Sequence, residues 1–206
     1  MSTVPPPAQA TGWTPSARSG NFEASRAALD GPVLVSGRRF GDHRGAFAET
    51  YTLRDFEAIG IADAFVQDNF SWSAGVGTLR GLHFQTPPHP QAKLVRVLRG
   101  RILDVAVDLR AGSPTYGQHV AAELSAENGL QLYVPVGFAH GFCTLEPDTE
   151  VAYKVTDTYA PDCDKGLLWN DPALAIEWPV GPDAAILSEK DQRQPLLRDL
   201  PPNLFA

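Results

Sequence analysis

An all-β fold, a jelly roll or barrel with only a few short helices, is what three features of this 206-residue chain predict. From residue 31 onward, short β-branched or aromatic runs recur every ten to fifteen residues. Most of these runs alternate apolar and polar residues, the period-2 signature of a strand with one face buried. Eighteen glycines and 18 prolines are spread along the chain and punctuate the runs, as turns between antiparallel strands require. The length suits one undivided domain, and the interior of such a fold can hold a small ligand.

The elements follow in order. Residues 1 to 20, MSTVPPPAQATGWTPSARSG, are rich in Pro, Ala, Ser, Thr and Gly. They lack the apolar core of a signal peptide and read as a flexible tail. The folded domain is taken to span 31–206, leaving 1–30 outside it. AFAETY (46 to 51) is a strand candidate. TLRDFEAIG (52 to 60) predicts a helix capped by Thr52, with Leu53 and Phe56 on one face and Gly60 ending it. AFVQDNFSW (64 to 72) and TLRGLHF (78 to 84) are the next strands. In KLVRVLRGRILDVAVDLR (93 to 110), two alternating runs flank Arg99-Gly100 and predict a hairpin, with charges pointing out and Val or Leu pointing in. HVAAEL (119 to 124), LQLYVP (130 to 135) and EVAYKV (150 to 155) complete the set.

Charge and cysteine count exclude several functions. Seventeen basic against 24 acidic residues give a net charge of -7, which repels a polyphosphate backbone and argues against nucleic acid as a partner. Two cysteines, Cys143 and Cys163, are too few for a disulfide framework. No apolar run approaches the roughly 18 residues of a membrane span. The expectation is a soluble, cytoplasmic protein that does not engage a membrane.

GTLRGLHFQ (77 to 85) sets one histidine, His83, inside an apolar strand. Gly77 precedes His83 by six positions, and Gly129 precedes Pro135 by six, followed by Gly137 and His140. These spacings resemble the two cupin motifs. A metal-binding cupin has a second histidine where this chain has Gln85. His83 and His140 fall short of the about three protein ligands a catalytic metal needs, so no bound metal is expected. Strict alternation would put Leu79, Gly81 and His83 on one face and Arg80, Leu82 and Phe84 on the other. Arg80 and His83 can share a pocket only if the strand is irregular at Gly81.

Eight segments, in order, resemble the dTDP-4-dehydrorhamnose 3,5-epimerase family over roughly residues 33 to 197: DHRGAFAE, FVQDNFS, GTLRGLHFQ, KLVRVLRGRILDVAVDLR, PVGFAHGF, YKVTDTYAP, WNDP and LSEKD. The resemblance implies a cupin jelly-roll barrel that works as a homodimer, without cofactor, on a dTDP-4-keto-6-deoxy sugar. Moving a hydrogen to the opposite face beside a carbonyl needs a base, a partner for the enolate oxygen and an acid. Histidine titrates near neutrality and suits the base, and the family pattern assigns that role to His83. A carboxylate should orient its far ring nitrogen; Asp171 and Asp191 both match family positions, and the resemblance favours Asp191. By resemblance Lys93 holds the enolate oxygen and Tyr153 is the acid. Tyr159 would stack on thymine. Arg44, reaching across from the partner subunit, and Arg80 would grip the pyrophosphate. Phe47, Glu49, Gln67, Asn69, His140, Asp164 and Lys190 complete the pocket, Asp164 standing where the family usually has Glu. Three rivals share parts of this pattern: an epimerase acting at carbon 3 alone, a sugar-nucleotide-binding cupin without turnover, and a metal-dependent cupin isomerase or oxygenase.

Overall fold

The computed structural model describes residues 2–3 and 12–205. Its strands are β1 (Ser2–Thr3), β2 (Thr14–Ser19), β3 (Phe22–Arg26), β4 (Val33–Gly37), β5 (Phe40–Asp42), β6 (Gly45–Phe47), β7 (Gln67–Ser73), β8 (Leu79–Gln85), β9 (Lys93–Arg99), β10 (Arg101–Asp108), β11 (His119–Ser125), β12 (Gln131–Val134), β13 (Phe138–Thr144), β14 (Thr149–Val155) and β15 (Asp164–Gly166). One helix, α1 (Leu53–Ala58), lies between β6 and β7. A seven-stranded sheet runs β2-β3-β4-β12-β9-β14-β7, a five-stranded sheet runs β11-β10-β13-β8-β15, and β1-β5-β6 form a small third sheet. The two large sheets face each other as a cupin-like jelly roll. They are separate sheets, so the expected barrel is an open sandwich.

The core between the sheets joins Val95, Val97, Leu132, Val134 and Val151 of one sheet to Ile102, Ala106, Leu124, Phe138 and Phe142 of the other. Removing each large side chain from water contributes about 1.5–3 kcal/mol. Both outer faces are also covered. α1 and the residues after it lay Phe56, Ile59 and Ile61 on Phe22, Val33, Val35, Leu94 and Tyr133. The C-terminal segment brings Leu197, Leu200, Leu204 and Phe205 onto Leu82, Phe84, Val105 and Val107.

Several expectations change here. The domain begins before residue 31, because β2 and β3 pair antiparallel and β3 continues onto β4, with Phe22 and Ala24 buried. The part of the expected tail between residues 4 and 11 lies outside the described residues. Residues 93 to 110 do not form a hairpin. β9 pairs with β12 and β14, while β10 pairs with β11 and β13, so the Arg99-Gly100 turn carries the chain from one sheet to the other. Nor do all charges in this stretch point outward: Asp104 and Asp108 are fully buried. Once both faces of a sheet are covered, an apolar residue can occupy either face, and alternation no longer says which side is wet. The predicted helix forms, but Leu53 is exposed and Phe56 alone of the pair is buried. The Thr52 hydroxyl makes no capping bond.

Candidate active site

The site lies where β8, β13 and β15 of one sheet face β9, β14 and β7 of the other, and a register shift in β8 makes it possible. Arg80 is the ladder partner of Phe142, and His83 is the partner of His140. Three residues of β8 therefore span two of β13, a β-bulge. The bulge turns Arg80 and His83 to the same face, the irregularity the sequence required at Gly81. Gly81 itself has φ +132°, and a Cβ there would stand 2.6 Å from Gly141 Cα and 2.8 Å from the His140 carbonyl oxygen. Only glycine permits so close a crossing of the two strands.

His83 Nε2–H donates to Asp191 Oδ1 at 2.5 Å, which leaves Nδ1 as the nitrogen able to accept a proton. Asp191 sits in a 3-10 turn, Asp191–Arg193, and is 3% exposed. Ser188 holds it in place: the hydroxyl donates to Asp191 Oδ2 at 2.9 Å and accepts from the Asp191 amide at 3.1 Å. Burial pushes the Asp191 carboxyl up, but the bond and charge of His83, the Ser188 hydroxyl and the charge of Lys190 outweigh it and hold Asp191 below the usual carboxylate range. Asp171, the other sequence candidate, accepts from the amides of Ala173 and Leu197 at 2.9 and 2.7 Å, as a capping residue does.

From the facing sheet, Lys93 extends its ammonium to the His83 carbonyl oxygen at 3.3 Å. Burial depresses this lysine to about 8, with the charges of Asp104 and Asp164 opposing the fall. Lys93 and Val155 are ladder partners, as are Val155 and Gln67, and Tyr153 and Asn69. Lys93, Tyr153, Gln67 and Asn69 therefore line one face, and Gln67 donates its amide to Asn69 Oδ1 at 2.8 Å. Burial raises the Tyr153 phenol; the Arg80 charge opposes this and Asp164 adds to it. Arg80 is steadied by the Ser73 hydroxyl at 3.2 Å and the Trp72 carbonyl at 3.0 Å.

One end of the site is more open. Asp164 accepts from Lys190 Nζ at 2.5 Å and from the Tyr159 hydroxyl at 3.1 Å, and Tyr159 is 59% exposed. Asp164 thus takes its place in the cluster despite the shorter side chain. Gln85, at the cupin histidine position, is buried. It is spent on loop structure, donating to the His89 and Thr158 carbonyls and accepting from the Ala160 amide.

Three predicted residues are not brought to this pocket within the chain. Arg44 lies exposed on the turn between β5 and β6 and pairs with Asp42 at 2.7 Å. Phe47 is 67% exposed. Glu49 accepts from Asn21 Nδ2 at 2.5 Å. Two residues escaped the sequence reading. Ser188, in LSEKD, gives no signal beyond its place three residues before Asp191. Alternation places Asp104 on the surface, but its Oδ1 accepts from His140 Nε2–H at 2.6 Å inside the sandwich.

A jelly-roll sandwich with a carboxylate-oriented histidine, a half-buried lysine and a half-buried tyrosine at one mouth is, as a class, an enzyme equipped to take and return protons. The chain belongs to the dTDP-4-dehydrorhamnose 3,5-epimerase family, an isomerase family whose pattern matches residues 26–199. A relative of that name from Sinorhizobium fredii is 56% identical over 82% of this chain and 86% of its own. A crystal structure of a dTDP-6-deoxy-D-glucose-3,5-epimerase from Legionella pneumophila, in complex with dTDP-4-keto-L-rhamnose, superposes with TM-score 0.83 at 45% identity, covering 87% of this chain and 95% of that one. A dTDP-4-dehydrorhamnose 3-epimerase from Streptomyces niveus is 38% identical over 83% of this chain and 82% of its own.

Proposed function

We propose that this protein epimerises dTDP-4-dehydro-6-deoxy-D-glucose at carbons 3 and 5, giving dTDP-4-dehydro-L-rhamnose for nucleotide-deoxysugar biosynthesis in the cytoplasm. The observation that carries the reading is the His83–Asp191 pair at 2.5 Å, with the Lys93 ammonium beside it and Tyr153 on the facing sheet. His83 takes the proton next to the 4-keto group through Nδ1 while Asp191 steadies the imidazolium that forms. Lys93 neutralises charge developing on the enolate oxygen, where a fixed cation in a dry pocket acts far more strongly than in water. Tyr153 returns a proton from the opposite face. Tyr159, Asp164 and Lys190 hold the nucleotide at the open end, and Arg80, Gln67, Asn69 and His140 hold the diphosphate and sugar.

The working unit is a homodimer in which Arg44, Phe47 and Glu49 serve the partner's pocket. Two features support this: the hairpin that carries Arg44 and Phe47 is exposed, and the outer edge strand β7 presents Phe70 and Trp72 at 61% and 54% exposure. Such aromatic surface on a sheet edge calls for a cover.

The test is to incubate protein and 4-keto sugar nucleotide in heavy water and locate deuterium by NMR. Incorporation at carbons 3 and 5 with inverted product is expected. Incorporation at carbon 3 alone would move the reading to the activity named for the Streptomyces niveus relative, and none at either carbon would leave only binding.

A further inference from the structure

Asp104 is an anomaly that the roles above do not absorb. It lies in β10 between Ile102 and Ala106, both of which pack into the core between the sheets. Its side chain is fully buried. Removing a carboxylate from water is costly unless its oxygens are paired or a cation stands near. One oxygen is accounted for: Oδ1 takes the His140 Nε2–H at 2.6 Å. The other, Oδ2, is buried with no hydrogen-bond partner among the described residues. A core position that needed only bulk would carry an apolar side chain, as Ile102 and Ala106 do.

The surroundings indicate what the charge serves. His140 is the direct ladder partner of His83, and the Lys93 ammonium rests against the His83 carbonyl. Asp104 is therefore bonded to His140, His140 lies beside His83 on the ladder, and Lys93 reaches the His83 backbone, so the four stand in series where the two sheets face each other. Besides Asp104, the charge acting on Lys93 is that of Asp164 of β15; Tyr153 of β14 lies on the same sheet face, and Arg80 of β8 acts on Tyr153. Of these Asp164 is already paired to Lys190, whereas Asp104 is fully buried and its Oδ2 has no hydrogen-bond partner among the described residues.

We propose that Asp104 is a positioning residue for the reaction: a buried carboxylate that fixes the His140 ring through Oδ1 and, through its free Oδ2, supplies the counter-charge that keeps the Lys93 ammonium protonated in the pocket. The inference rests on Lys93 acting as the cation for the enolate oxygen. Burial alone drives Lys93 toward neutrality, and Asp104 is the first of the charges opposing that drive. The enolate-facing cation thereby stays charged at neutral pH, where His83 must be free to act as a base. Lys93 carries its charge below about 8 and loses it as pH rises through that value, so the rate should fall on the alkaline side.

The experiment is the pH profile of kcat/KM for wild type, Lys93→Arg and Asp104→Asn. Asn matches Asp in shape and keeps an acceptor for His140, so dTDP affinity and the thermal melt should stay near wild type. Asp104→Ser, smaller and neutral, carries the same readout if Asn does not fold. Arg cannot lose its charge in this range, so K93R, though slower, should lack the alkaline limb. Asp104 is the larger of the two charges that raise Lys93, so D104N should move the limb to lower pH, by about 1 unit, the scale on which a nearby opposite charge acts. Well above pH 8 it should be slowed about tenfold, since each unit is a tenfold change, and far less at pH 6. A limb that survives in K93R overturns the reading of Lys93 itself. A limb absent in K93R but unmoved in D104N overturns the role of Asp104 alone, as does a loss of rate in D104N that is uniform across pH or tracks a fall in Tm.

Discussion

At the scale of single residues, the chemistry divides between His83 and Tyr153, and the division can be measured. His83→Asn keeps a polar side chain at the same ladder position but cannot accept the proton. Turnover should fall by the roughly 10²- to 10⁴-fold typical of general-base removal, while dTDP binding, read by calorimetry, should be kept because the nucleotide end is held by other residues. Near-normal turnover would return His83 to a structural part. Tyr153→Phe removes only the phenol. Abstraction by His83 does not need an acid on the other face, so the variant should still wash substrate hydrogen into heavy water from the His83 side while little inverted product forms. Loss of exchange and inversion together, in a folded variant, would mean that Tyr153 does more than deliver a proton.

At the scale of the strand, β8 shows what was legible in the sequence and what was not. Period-2 alternation locates β7, β8, β11, β12 and β14 to within a few residues, because one apolar face must meet the core. Alternation carries no information about which strand is the hydrogen-bonded neighbour, so β9 and β10 looked like a hairpin and are instead in different sheets. It missed β2 because TPSARS is an exposed edge whose residues need no apolar pattern. It gave Asp104 the wrong side because both faces of its sheet are covered. The bulge at Gly81 could be required from the need to unite Arg80 with His83, but not located in detail, since it depends on contact with Gly141, 60 residues away. Gly81→Ala tests that contact. A non-glycine residue at φ +132° costs on the order of 1–3 kcal/mol, and the 2.6 Å approach to Gly141 adds to it. The variant should melt at lower temperature and lose activity even where it is folded, because easing the strands apart turns Arg80 or His83 out of the pocket. A variant with unchanged Tm and rate would show that the crossing is not needed.

At the scale of the whole molecule, the site described within one chain has Arg80 but lacks the second arginine expected at the diphosphate, because Arg44 pairs with Asp42 on an exposed turn. In a two-fold dimer the same patch on each subunit meets its mate, so each hairpin can supply the other's pocket. This predicts complementation between two inactive variants. Arg44→Ala has an intact His83 but lends its partner no arginine, and His83→Asn has no base but lends a sound Arg44. Each homodimer should be nearly inactive at substrate concentrations well below the KM of the Arg44 variant. In a mixed dimer, the pocket with His83 receives Arg44 from the other chain and works, whereas the second pocket lacks both. Random pairing of equal amounts puts half the molecules in mixed dimers, so about a quarter of the wild-type sites should return. Subunits mixed by co-expression or reversible unfolding, with the assembly state read by sedimentation, give the measurement. If Arg44 served its own pocket, no combination of these two chains would rebuild a complete site and mixing would restore nothing; a monomer at working concentration would exclude the exchange as well.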